Sequence, residues 1–503
     1  MQNLFLSLLR DKSFTKRVEI LKYLHSVTVP VSIQDIVKTL KLSPTTIRNG
    51  IQGLNHELEE YIEISPQRFG MYLLIMKKNV SIETIITILT QEIPEYKIID
   101  RIFHNRIYDI YDAADELNTS RSTLLRTITH MNKVLAKFKL SIGSDTIRLK
   151  GREEDIRFFL YSFFSLFGDS KIVYEQAEAD AQLFIGLAED MHLEKLRYSH
   201  YNMTIWLSIL RVRWKNECFI ESTSELNKIL ADNTAFAAFK ELSDRFLFKA
   251  NFNVKLAFPE VAWAYINLLH CVTYSSTHSS NENVGNYRYL SLDLPPAVLE
   301  STHNLIDEAL PGLSPESDTY LKLEAFIINM YLLSKISSNY GIIADDIIHY
   351  FKAQYESTYH KWYGLLCKYR KKRAPISFEH LEDAASCLTT ISASASKLDV
   401  TKQLRIVFAL QGPVGLDEYI METSKQLFTK NIKVDYFFVR AVYKEEINYR
   451  RVDLVVTNYD LYLEEEPTYP IIRMSNFPTN LDWSNFRKTL IKLSREKENE
   501  ISG

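Results

Sequence analysis

Apolar positions step through two stretches of this chain with one rhythm. Ile47, Ile51, Leu54 and Leu58 advance by four, three and four residues, and so do Leu124, Ile128, Met131 and Leu135. That spacing places each set on one buried face of an α-helix. The likeness extends upstream: Ile33 matches Ile110, Asp35 matches Asp112, Leu40 matches Leu117 and Ser43 matches Ser120. Thr46 with Thr123 and Asn55 with Asn132 complete the repeat. A short amphipathic helix, a turn and a Ser-capped second helix predict a helix-turn-helix, a unit suited to laying its second helix in the DNA major groove. Two such units in tandem make double-stranded DNA the expected partner.

The polar sides of the second helices carry the candidate contacts. In the first unit Ser43 is a natural N-cap and Pro44 takes the first helical position, where its missing N–H costs nothing. Opposite the apolar stripe stand Thr45, Asn49, Gln52 and His56, with Arg48 on the flank. Gly50 and Gly53 each cost about 1 kcal/mol inside that helix; they either admit a close neighbour or mark the weaker reader. In the second unit the polar side presents Ser122, Arg126, Thr129, His130 and Lys133, with Arg121 leading. These side chains can touch phosphates and base edges.

A hairpin wing is expected behind each helix. In the first unit it runs from Tyr61 to Ile64 and Gly70 to Leu74, joined through Ser65-Pro66-Gln67-Arg68. In the second, Leu140 to Ile142 turn at Gly143-Ser144-Asp145 into a returning strand, Thr146 to Gly151. Arg148, Lys150 and Arg152 alternate along it and so share a face for phosphate contact.

From Glu153 to about Lys397 the period is helical. Helices are predicted over Glu153–Phe167, Asp180–Met191, Tyr201–Trp214, Ala235–Phe246, Phe258–Tyr274, Pro296–Ala309, Ser317–Ser337 and His380–Thr390. The polar run Ser275 to Asn286 reads as a linker, and Pro295-Pro296 opens a second bundle. Beyond the Ser/Ala run at Ser392–Ser396 the period changes. Strands are expected at Leu404–Leu410, Ile432–Val439, Val452–Thr457 and Ile471–Met474, with a Gly412-Pro413-Val414-Gly415 turn, a helix over Asp417–Thr429 and a last helix over Trp483–Leu493. Strand, turn, helix, strand predicts a small, mostly parallel α/β sheet.

Length and charge sharpen this division. A chain of 503 residues exceeds one core, so roughly three to five domains are expected. Its formal net charge is −3, yet residues 1–160 hold 23 Lys and Arg against 19 Asp and Glu, leaving −7 for the remainder. A basic front on an acidic body suits DNA binding joined to regulatory domains. Cys218, Cys271, Cys367 and Cys387 form no metal-ligand spacing and read as reduced thiols, so neither a metal nor another cofactor is expected and the location is read as cytoplasmic. Met1 to Leu9 lacks a basic leader and cleavage site, which argues against a signal peptide. Ile156 to Phe167 is too short to span a bilayer.

The tandem winged helices, the helical pair and the tail together resemble the Mga/AtxA group of Gram-positive transcription regulators. The resemblance implies five domains: winged helix-turn-helix units at 1–78 and 79–152, two all-α phosphotransferase-system regulation domains (PRDs) at 153–290 and 291–400, and an enzyme IIB-like α/β domain at 401–503. It implies regulation by the phosphocarrier protein of the sugar phosphotransferase system, acting on PRD histidines. Tyr198-Ser199-His200-Tyr201 and the run Glu260 to His270 fit the first domain's pattern, making His200 and His270 the phosphorylation candidates, with Arg197, Arg211 and Arg213 as cations near His200. The second domain departs from the pattern, offering Asn329, Thr389 and Thr390 where histidines are expected, with His349, His360 and His380 nearby. In the tail, Gln411 holds the place of the phosphorylatable Cys of an active IIB domain, and an amide cannot be that nucleophile. The resemblance therefore implies a promoter-binding regulator, an activator and not an enzyme, reading DNA shape and A·T richness and self-associating through its tail as a homodimer or higher oligomer. Two other readings stand beside it: a phosphotransfer component, which the missing tail Cys opposes, and an architectural DNA-binding protein without regulatory input.

Overall fold

The computed structural model describes residues 7–27, 29–67, 70–104, 108–165, 199–221, 224–230, 233–243, 257–272, 294–342, 348, 352, 355–393, 404–412, 415–427, 432–437, 452–459 and 469–502. The helix expected at Asp180–Met191, the linker Ser275–Asn286, Arg68, Arg197, His349 and the side chain of His200 lie outside the described set.

The first unit comprises α1 (Lys12–Ser26), β1 (Val31–Ser32), α2 (Ile33–Leu40), α3 (Pro44–Glu57), β2 (Ile62–Gln67) and β3 (Met71–Met76). Helix α1 is an addition that the repeat did not reveal. Ser32 and Asp35 form a capping box on α2, and Ser43 accepts the Thr46 N–H to start α3. The hairpin is longer than expected: its register runs from Ile62 opposite Met76 to Gln67 opposite Met71, so Ser65 and Pro66 belong to a strand and not to the turn. Sheet order β1-β3-β2 leaves β2 at an edge, where a proline is tolerated. All four predicted stripe residues of α3 are buried in this unit's core, with Val18, Ile20 and Leu21 of α1.

Two helices, α4 (Ile82–Gln91) and α5 (Pro94–Phe103), carry the chain to the second unit. Ile82, Ile85, Ile86 and Leu89 of α4 bury in the first unit's core, whereas Tyr96, Ile98, Ile99 and Ile102 of α5 bury in the second's. No gap in packing therefore follows residue 78. Then come β4 (Tyr108–Asp109), α6 (Ile110–Glu116), α7 (Arg121–Leu135), a 3-10 turn (Ala136–Phe138), β5 (Ser141–Ile142), β6 (Thr146–Ile147) and β7 (Leu149–Lys150). The returning wing strand is broken at Arg148: β6 pairs with β4, and β7 pairs with β5.

The helical body contains α8 (Glu153–Phe164), α9 (His200–Lys215), α10 (Ser224–Leu230), α11 (Thr234–Leu242), α12 (Phe258–Cys271), α13 (Pro296–Ala309), α14 (Asp318–Ser334), a 3-10 turn (Ser338–Gly341), α15 (Glu356–Lys371) and α16 (Leu381–Ala393). Its apolar core is continuous with that of the second unit, from Ile128 through Phe159 and Trp263 to Leu388. At its centre the fully buried Arg157 of α8 pairs with Glu260 of α12 through both terminal nitrogens, at 2.9 Å each. Glu260 also accepts the Trp214 indole N–H at 2.8 Å and the Ile220 amide. So complete a hydrogen-bond shell is what allows a buried ion pair to persist.

The tail forms β8 (Leu404–Ala409), α17 (Leu416–Lys425), β9 (Ile432–Phe437), β10 (Leu454–Thr457), β11 (Ile471–Arg473) and α18 (Asn480–Ser502). Its four strands are all parallel, in the order β11-β10-β8-β9. The sheet domain is docked within the chain on two sides. Lys322 of α14 meets Glu418 of α17 at 3.1 Å, both buried, and Gly415 lies against Thr390 of α16. On the other side Asn79 donates to the Ile471 carbonyl at 2.8 Å, and His25 of α1 sits 4.0 Å from Asp482 of α18, both buried. Among the described residues, no helix is long and apolar enough to cross a membrane, and no cluster of three or more His, Cys, Asp or Glu could hold a metal ion.

Candidate nucleic-acid interface

Both reading helices show solvent the side that the sequence reserved for contact. On α3, Thr45, Arg48, Asn49, Gln52 and His56 are exposed; on α7, so are Arg121, Ser122, Arg126, Thr129 and Lys133. Each helix is entered through one left-handed residue at the equivalent place, Lys41 (φ 54°) and Asn118 (φ 48°), followed by its Ser cap. Gly50 is explained by α1: a Cβ there would stand 2.7 Å from the Ile20 δ-methyl. Glycine lets α1 lie close behind α3.

The repeated asparagines brace each wing to its helix. Asn55 donates to the Ile64 carbonyl at 2.8 Å and accepts the Ile64 N–H at 2.7 Å. Asn132 does the same to Ile142, at 3.0 and 2.6 Å. A carboxamide carries a separate acceptor and donor, so it can meet one residue's N–H and C=O together. The repeat marked these positions; only the fold shows what they do.

Two candidate contacts need correction. His130 donates from Nε2 to the Ser7 carbonyl at 2.8 Å, so the N-terminal segment occupies the nitrogen that was to face DNA. Arg152 does not join Arg148 and Lys150 in a phosphate row, because it turns to Glu154 at 2.7 Å and to the Ile336 carbonyl at 3.1 Å. The break at Arg148 also ends the simple alternation, although Arg148 and Lys150 are both exposed, with Lys150 lying over Gly143 at the wing tip. One residue was missed. Tyr111, 59% exposed at the start of α6, accepts a hydrogen bond of 2.8 Å from Arg121, whose guanidinium stacks 4.7 Å from the ring. That pair fixes the Arg121 guanidinium against Tyr111 at the head of the helix.

The two candidate histidines, His200 and His270, stand in different settings. His200 is the first residue of α9, directly after the Ser199 cap. His270 lies in the last turn of α12 inside a cage of rings from Phe158, Tyr161, Trp206 and Tyr340, with centroids 4.7–6.0 Å away. The residue as a whole keeps partial exposure, but the imidazole itself is walled in, and its surroundings set its basicity. Desolvation pulls its pKa down to about 3. The Trp206 indole donates to Nδ1 at 3.1 Å; because an indole N–H can only donate, the ring is neutral with its proton on Nε2. The cations offered to a modified His200 also change: Arg213 is bound by Glu153 at 2.6 and 2.8 Å. In the second helical domain Thr389 and Thr390 spend their hydroxyls on α16's own carbonyls. At the ends of β8 and β10 the Gln411 main chain pairs with the Asn458 side-chain amide, its N–H donating to Oδ1 and its carbonyl accepting from Nδ2.

Residues 78–164, from α4 to α8, match the Mga helix-turn-helix domain. The anthrax toxin expression trans-acting positive regulator of Bacillus anthracis is 17% identical over 499 residues, covering 95% of this chain and 98% of that protein. The capsule synthesis positive regulator AcpB of the same organism is 19% identical over 485 residues, with the same coverage of each chain. Through its second winged unit the chain thus matches the Mga helix-turn-helix domain, and along almost its whole length it is similar to these two positive regulators.

Proposed function

We propose that this protein is a cytoplasmic transcription regulator, an activator and not an enzyme, that binds promoter DNA as a homo-oligomer. The observation that carries the reading is the exposed face of α7, where Arg121, Ser122, Arg126, Thr129 and Lys133 stand clear of the core within the part of the chain that matches the Mga domain. Arg148 and Lys150 of the wing and Tyr111 extend that face. Thr45, Arg48, Asn49 and Gln52 of α3 form a second, less cationic reading surface, which suits recognition of DNA shape more than base edges.

Phosphorylation of PRD histidines by the phosphocarrier protein is the regulatory part of the reading. His200, at the amino end of α9, suits an added phosphate, since a helix N-terminus favours negative charge. His270 becomes an acceptor only when its cage opens, because Nδ1 is engaged and Nε2 carries the proton. The five-domain division and the IIB-like tail as an oligomerisation module belong to the same proposal.

The test is a gel shift with Arg126→Ala/Lys133→Ala. Both residues face away from the core, so the protein should fold normally and bind promoter DNA more weakly. Each phosphate contact contributes about 0.9 to the slope of log K against log salt, so the slope should shrink by up to about 2. Unchanged affinity and slope would show that α7 is not the reader.

A further inference from the structure

Between the end of α14 and Ile342 the chain makes a short turn in which five consecutive residues each reach out of their own domain. The Ile336 carbonyl accepts from Arg152 at 3.1 Å, and Ser337 donates to the Asp155 carboxylate. Ser338 accepts from Lys139 at 2.8 Å. Asn339 donates from Nδ2 to the Phe138 carbonyl at 3.1 Å and to Asp155 at 3.0 Å. Tyr340 donates to Asn267 of α12 at 2.6 Å. Ser337, Asn339, Tyr340 and Asp155 are all at most 4% exposed.

The place that Asn339 grips is particular. Phe138 closes the 3-10 turn that continues α7, and Lys139 follows in the left-handed region at φ 61°. This is the joint between reading helix and wing. The Phe138 ring packs on Phe159 of α8 at 5.3 Å, a contact that holds the joint but does not aim it, since apolar packing is non-directional. The Asn339 amide supplies direction. Its orientation is determined as well, because both of its partners accept and only the NH2 end can satisfy them. The next residue, Tyr340, is a wall of the His270 cage at 5.2 Å from the imidazole.

We infer that Asn339 is a positioning residue for DNA reading: it sets the angle of the second winged unit on the helical body and ties that angle to the packing around His270. The inference rests on the DNA-reading role proposed for α7, and its test separates the two. Parent, Asn339→Ala, Tyr340→Phe and Arg126→Ala/Lys133→Ala forms of the full chain are titrated onto a labelled A·T-rich duplex at several salt concentrations. Hydrogen exchange is followed at residues 136–142. Asn339→Ala should weaken binding about fivefold, the order expected for one lost orienting hydrogen bond. Its salt slope should stay at the parental value, because no phosphate contact is removed. Tyr340→Phe loses a single hydroxyl and keeps the fold; it should weaken binding less and speed exchange at the joint while exchange in α14 stays slow. Parental affinity in Asn339→Ala, with binding lost in the Arg126/Lys133 variant, would overturn the positioning role and leave the reading of DNA intact. Parental affinity in both would overturn the DNA-reading role instead. Parental exchange at 136–142 in Tyr340→Phe would break the link to the cage, whatever Asn339→Ala does.

Discussion

Replacing His270 with Gln should remove a block of acid sensitivity from the helical body. In the folded protein the imidazole is neutral, because the rings around it exclude water and its pKa falls to about 3. Unfolding returns it to the ordinary value of 6.5, so below that pH the unfolded state binds a proton that the folded state refuses. The stabilising difference is complete above pH 6.5 and is lost as pH falls towards 3. At pH 5 the loss comes to about 2 kcal/mol, and its limit below pH 3 is about 5 kcal/mol. Gln keeps an acceptor for the Trp206 indole but does not titrate. His25 and His380 are also pulled down by burial, so only the difference between parent and His270→Gln isolates this site. Urea unfolding followed by tryptophan fluorescence, which reports on Trp206, would be compared at pH 8 and pH 5. The parent should lose about 2 kcal/mol more than the variant over that interval. Equal losses would refute the neutral, caged histidine, and with it the claim that His270 needs an opened cage to accept phosphate.

Other outcomes follow from single contacts. Asn132→Ala strips both main-chain partners from the buried Ile142 and should cost about 1–3 kcal/mol, read as a lower melting temperature with weaker DNA binding; a parental melt would dismiss the brace. Gly143→Ala puts a Cβ 2.7 Å from the Thr146 carbonyl oxygen, so the wing tip must shift, at about 1–3 kcal/mol, and DNA affinity should fall. Lys322→Ala leaves Glu418 buried without its cation, a change that costs about 3–5 kcal/mol when the charge stays. Burial already raises the Glu418 pKa well above its usual range, so the deficit should shrink as pH falls and the carboxyl takes a proton; a pH-independent deficit would contradict the pairing. A chain ending at Lys397 should sediment as a monomer, and a truncated dimer would remove the tail from the oligomer interface.

Much of the architecture was legible as pattern. The stripes of α3 and α7, their Ser caps and the period change at the tail depend on neighbours within a few residues along the chain. Local physics therefore specifies them, and α13 begins and ends at Pro296 and Ala309 as read, whereas α18, expected over Trp483–Leu493, runs on to Ser502. The polar faces of the reading helices were legible for the same reason, since helical periodicity alone decides which side turns from the core. What a side chain meets across the fold was not. Asn55 and Asn132 could be seen to repeat, but their partners lie on strands whose register only the packed hairpins define. His130 and Arg152 are removed from the DNA face by Ser7 and Ile336, one far upstream and the other far downstream. His270 belonged to a motif, yet its neutrality comes from rings on α8, α9 and the turn at Tyr340, brought together by the burial of an entire core. Local sequence decides secondary structure and exposure through short-range sterics and periodicity; basicity, bracing and the angle between domains depend on desolvation and directional bonds between distant segments, and these exist only once the chain has closed on itself.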